Sequence, residues 1–218
     1  MATLDKGTLF WMRISLAIDV MNFIRETKIA AIKKENSFLN VKFKTHYAQM
    51  IWEIMRKYPK HKTLALTALH DTEEYEFDKK SSVNESDKDD ITDAEYKKYE
   101  KVNHLLHLYH IVFYASQFEI DNKLIPDLLI LTLLYSFGKN DTIKDKYGSN
   151  EFNLDLQVSA IYAISIMRSS DEYVEKAIKT IERIILNYNI YSKKDDNICK
   201  LIAIAEKKAR ALESQMFL

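Results

Sequence analysis

Leu124-Ile-Pro-Asp-Leu-Leu-Ile-Leu-Thr-Leu-Leu-Tyr-Ser-Phe137, followed by Gly138, is the stretch that decides the fold class. Its apolar run is too short to cross a bilayer comfortably, so no membrane span is expected. It reads instead as a helix buried on all sides, at the centre of an all-α, compact multi-helix domain. Pro126 suits a first helical turn, because its missing N–H would be unpaired there in any case. Asp127 beside it complements the positive end of the helix dipole. Gly138 reads as the C′ residue that stops the helix.

The rest of the chain agrees with that reading. Among 218 residues there are three glycines (Gly7, Gly138, Gly148) and two prolines (Pro59, Pro126). Turn-rich β folds need more of both. Hydrophobic residues make up 47%, enough for a substantial core, and the length suits a single α-helical domain over 1–218. No GxGxxG or GxxxxGK[ST] phrase occurs, which removes Rossmann and P-loop chemistry. The formal net charge is zero, so no clear nucleic-acid footprint is expected. Cys199 is the one cysteine, which excludes an internal disulfide and a Cys-based zinc cluster. With no signal peptide legible at the N-terminus, a cytoplasmic or otherwise intracellular location is expected.

Apolar residues Phe10, Ile14, Ala17, Ile18, Met21, Ile24 and Ile29 predict a helix from Thr8 to about Lys34. Thr45 to Tyr58 predicts a second, ended by Pro59. Thr63 is expected to cap a third, Leu64 to about Tyr75. The polar segment 78–93 predicts a loop, a mobile one by its composition. One long helix is expected from Ala94 to Phe118, and two or three more beyond Asn150, including Glu172 to Tyr188 and Ile198 to Glu213.

The third helix carries the chemical phrase Leu64-Ala-Leu-Thr-Ala-Leu-His70-Asp71-Thr72-Glu73-Glu74. A His-Asp pair after an apolar helix, with His46 on the helix before, resembles the HD-domain superfamily. The His-Asp-x-x-Glu form is similar to its (p)ppGpp hydrolase and nucleotidase branches. The resemblance covers about Thr45 to Tyr75. It implies an HD-domain-like fold and a metal-dependent phosphohydrolase of a nucleotide or alarmone. His46, His70 and Asp71 would then be metal ligands and Glu74 the acid–base residue. The cofactor would be a divalent metal, Mn first, with Mg, Fe or Zn as options. Imidazole and carboxylate ligands suit such ions, and a bound ion polarises a phosphoryl oxygen and acidifies its water. Glu74 lies four residues after His70, on the same helical face.

The (p)ppGpp hydrolase motif would have Asp where Tyr75 stands. The family's later Leu-Ala-Asp phrase has no counterpart, since Ile130 to Gly138 contains no Asp. Asp141 is the preferred last ligand and Asp127 the second. These departures support the alternative: a non-catalytic helical interaction protein, on a degenerate HD-like or unrelated helical scaffold, whose partner is a protein rather than a small-molecule nucleotide.

Three further patterns stand out. His104, His107 and His110 recur every third residue and read as a partly buried polar stripe with no obvious carboxylate partner. Arg56 and His61 match the loose Arg-x4-His spacing of HEPN ribonucleases, but Pro59 interrupts the helix that motif needs. The segment Ile130 to Ser136 echoes Ala65 to Asp71, with Tyr135-Ser136 in place of His70-Asp71.

Overall fold

The computed structural model describes residues 41–84, 87–88, 91–148, 154–167 and 197–217. They form α1 (His46–Met55), α2 (Lys62–Glu74), α3 (Asp93–Tyr99), α4 (His104–Ser116), α5 (Ile125–Leu134), α6 (Asp141–Tyr147), α7 (Asp155–Met167) and α8 (Asn197–Gln215). Short 3₁₀ turns, Phe77–Lys79 and Phe137–Lys139, follow α2 and α5. Among the described residues there is no strand, only one antiparallel bridge between Ser81 and Asn103. The fold is all-α. The helices expected over Thr8 to Lys34 and Glu172 to Tyr188 lie outside the described residues.

The apolar run sits where its composition sends it. Every residue from Leu128 to Leu134 is at most 4% exposed, while Leu124, just before the helix, is 41% exposed. Each such buried Leu or Ile contributes roughly 1.5–3 kcal/mol. Leu105, Leu108, Ile111 and Val112 of α4 join the same core. No described helix is long and apolar enough to cross a membrane.

Several boundaries differ from expectation, each for a local reason. The helix expected from Ala94 to Phe118 is two helices. Asn103 accepts from Leu106 N and caps α4, while Val102 O and His104 N bond across to Ser82 N and Lys80 O. Those side-to-backbone and cross-chain bonds replace the helical ladder at this point. Thr63 lies inside α2, whose N-cap is His61 in the left-handed region with φ of 78°.

Segment 78–93, expected as a mobile loop, carries several anchors among its described residues. Ser82 and Val83 are buried, Ser82 Oγ donates to Tyr99 O, Asn84 donates to Asp155 and Lys139 pairs with Asp87. Scarcity of apolar residues hid these polar anchors from the sequence.

Gly138 is not a C′ residue. The helix ends at Leu134, and Gly138 lies in the following 3₁₀ turn without positive φ. Its reason is space: a Cβ there would stand 2.0 Å from Asp155 O and 2.8 Å from Ser159 N. Glycine lets the turn press against the first turn of α7, where Gly138 N donates to Ser159 Oγ.

The two helical hairpins, α1–α2 and α4–α5, end alike. Tyr75-x-Phe77-x-Lys79 and Tyr135-x-Phe137-x-Lys139 occupy matching places after their helices. The two phenylalanine rings meet at 4.8 Å, and Asn140 Nδ2 donates to Tyr75 O. The two helix ends thus match in a different register from the echo of Ala65 to Asp71 with Ile130 to Ser136.

Glu76 is the second residue in the left-handed region, with φ of 53°. A side chain there costs roughly 1–2 kcal/mol that glycine avoids. Glu76→Gly is expected to raise stability by about 0.5–1 kcal/mol, read as a higher urea midpoint with an unchanged slope.

Candidate functional site

Helices α1 and α2 do pack together. Thr45 N donates to Glu73 Oε1 at 2.9 Å, and the Phe43 and His70 rings lie 5.1 Å apart. The start of α1 is thus held against the last turns of α2, which puts His46 and His70 at one end of the hairpin. The side chains then diverge. His46 and His70 are exposed, and the His46 ring lies beside Tyr47. Asp71 points the other way, because successive helical residues are turned about 100° apart. It is 4% exposed, and its Oδ2 accepts from Tyr162 Oη at 2.6 Å.

The remaining expected groups are scattered. Glu74 is exposed on α2. Asp141 begins α6 with its side chain 73% exposed and Lys80 Nζ 3.9 Å away. Asp127, the second choice for a late ligand, is bound to His61 Nε2 at 2.6 Å and Lys60 Nζ at 2.8 Å. Burial raises the Asp127 pKa, but those two partners outweigh it and leave the carboxyl below its ordinary value. His61 in this pair and Arg56 in an ion pair with Glu53 leave the Arg-x4-His spacing without a shared site.

Among the described residues no three His, Cys, Asp or Glu side chains are placed to hold a metal ion. The expected set of His46, His70, Asp71 and Asp141 is therefore not assembled, and these residues do not fit a divalent ion as placed. Two hollows are also small. One of about 20 Å³ is lined by Leu131, Tyr135 and Ala160, and one of about 10 Å³ by Tyr58, His61 and Pro126. Each is on the scale of one water molecule, far from the volume a nucleotide requires.

The histidine stripe of α4 is where buried polar chemistry gathers. His104 and His107 are 0% exposed and His110 is 7% exposed. The carboxylate partner that the local sequence lacks comes from α8. His107 Nδ1 lies 2.8 Å and His110 Nδ1 3.0 Å from Glu213 Oε1. Arg210 Nη1 donates to Glu213 Oε2 at 3.0 Å and also to Ser82 Oγ, while its guanidinium stacks on Tyr99 at 4.6 Å. An ionised carboxylate only accepts, so both imidazoles carry their proton on Nδ1.

His104 stacks on Phe77 at 4.5 Å, with Nε2 3.2 Å from Ser136 Oγ. Its Nδ1 and His107 Nε2 are buried without a hydrogen-bond partner among the described residues. Glu213 and Arg210 were invisible as part of a site because more than a hundred residues separate Glu213 from His107 and His110. The one available signal was chemical: buried histidines call for an acceptor.

Burial pushes the His107 pKa down, aided by Arg210, against the opposing pull of Glu213. Burial alone would raise Glu213, but hydrogen bonds from His107 and His110 with the Arg210 charge hold it down. At neutral pH His107 is a neutral imidazole facing the Glu213 carboxylate and the Arg210 guanidinium. A buried histidine with lowered pKa binds its proton more readily in the unfolded chain. Stability should therefore fall as pH drops below the ordinary histidine value of 6.5, and fall further below the ordinary glutamate value of 4.5. The slope approaches about 1.4 kcal/mol per pH unit for each proton taken up on unfolding. Urea unfolding at intervals from pH 8 to 4 checks this; flat stability from pH 7 to 5 would contradict it.

No protein-family model matches the chain, and neither a curated protein nor a solved structure matches it.

Proposed function

We propose that this chain is a non-catalytic helical interaction protein, and that its His70-Asp71 helix serves packing. The observation that carries this reading is the placement of Asp71, turned into the core onto Tyr162 while His70 lies at the surface. The buried His107–Glu213–Arg210 cluster supports it too. A cluster excluded from water joins α4 to α8 but offers no route for substrate. The partner class is a protein. A hydrolysis screen over nucleoside di-, tri- and tetraphosphates with Mn²⁺ tests the proposal. Release of phosphate no faster than in a protein-free blank is expected. Turnover abolished by Asp71→Asn would sink it.

The second reading is the HD-type phosphohydrolase. The Thr45–Glu73 bond and the Phe43–His70 contact favour it, because they gather His46 and His70 at one end of a hairpin. That reading requires Asp71 to leave Tyr162 and a late carboxylate to arrive. Turnover in the same screen would favour it.

A further inference from the structure

Helix α8 is attached in two different ways along its length. Its buried apolar residues are Cys199, Ile202, Ala205 and Ala209, mostly small side chains. Beyond Ala209 the one buried residue among those described is Glu213. The last turns are thus fastened by polar bonds: Arg210 to Ser82, and Glu213 to His107 and His110. A helix seated on alanines removes less apolar surface from water than one seated on leucines. Its docking depends correspondingly more on the ionic clasp, and that clasp contains His107, an imidazole held neutral by burial that takes up a proton more readily once water reaches it.

We infer that the His107–His110–Glu213–Arg210 cluster is an acid-sensitive latch that releases α8 from α4 while the rest of the core stays folded. The charged and titratable groups around His107 are His104 and His110 on α4, and Glu206, Arg210 and Glu213 on α8. Tyr99 at the end of α3 and Tyr135 after α5 complete the cluster. A proton on either imidazole adds positive charge beside Arg210, with the Glu213 carboxylate already shared among three donors. Water relieves that excess charge only when α8 lifts away. The lowered affinity of His107 for its proton is the same strain seen from the closed state.

Hydrogen exchange read by mass spectrometry on the full chain tests the latch. Protection of the α8 amides from Ile202 to Glu213, corrected for intrinsic exchange, is compared with that of Leu128 to Leu134 in α5. Between pH 7 and pH 5 the α8 protection should fall about tenfold or more and stay well below that of α5, which falls no further than the global stability does. In the double variant His107→Asn and His110→Asn, each amide can still donate to Glu213 but takes up no proton. Its α8 protection should not change over that range. Constant α8 protection in the natural chain, simultaneous opening of α8 and α5, or an acid response that persists in the double variant would each overturn the latch. If the double variant does not fold, the comparison of α8 with α5 in the natural chain decides alone.

Discussion

Glu213→Ala is expected to destabilise the fold by about 3–5 kcal/mol, the cost of leaving buried charge without its partner. The carboxylate is 0% exposed and accepts from His107, His110 and Arg210. Alanine strands the guanidinium next to two imidazoles and opens a cavity at the α4–α8 contact. Glu213→Gln should cost less, because the amide oxygen still accepts from one donor and fills the space. Urea denaturation followed by circular dichroism at pH 7.5 checks both. A loss below about 1 kcal/mol for Glu213→Ala would mean that water reaches the cluster and replaces the carboxylate.

Gly138→Ala should cost about 3 kcal/mol, at the upper end of ordinary overpacking. The added Cβ meets backbone atoms of Asp155 and Ser159, not the flexible end of a side chain, so no rotamer change removes the clash. The first turn of α7 must move away, and Tyr162 further along that helix carries the bond to Asp71. Beyond the fall in urea midpoint, the Asp71–Tyr162 contact should loosen, read as faster amide exchange across α7. A glycine kept for flexibility would tolerate alanine far better, so the two explanations separate by magnitude.

The fold was legible where physics acts locally. The run from Ile125 to Leu134 has no polar face, so burial on all sides was its one stable arrangement. Capping chemistry was legible less reliably. Asn103 is a good N-cap residue within what reads as one continuous helix, and the bridging bonds to Lys80 and Ser82 decide that it interrupts. Gly138 looked like a terminator because its role depends on the backbone of α7, which no local pattern reveals.

The candidate site was legible only in part. The phrase from His70 to Glu74 sits on a helix, paired with the helix of His46, as the spacing predicts. Whether neighbouring side chains converge depends on the rotation of α2 about its axis. Tyr162, ninety-one residues beyond Asp71, takes part in setting it. The histidines of α4 were visible as a stripe, but their carboxylate lay on the far side of the chain. Spacing could pose that question without answering it.

A titration of Mn²⁺ into the metal-stripped chain, followed by calorimetry and by electron paramagnetic resonance of the free ion, separates a packing role for His70-Asp71 from a metal centre. No stoichiometric site is expected, with identical traces for the natural chain, His70→Ala and Asp71→Asn. One tight site per chain, lost in both variants while each remains folded, would contradict it and restore the metal centre.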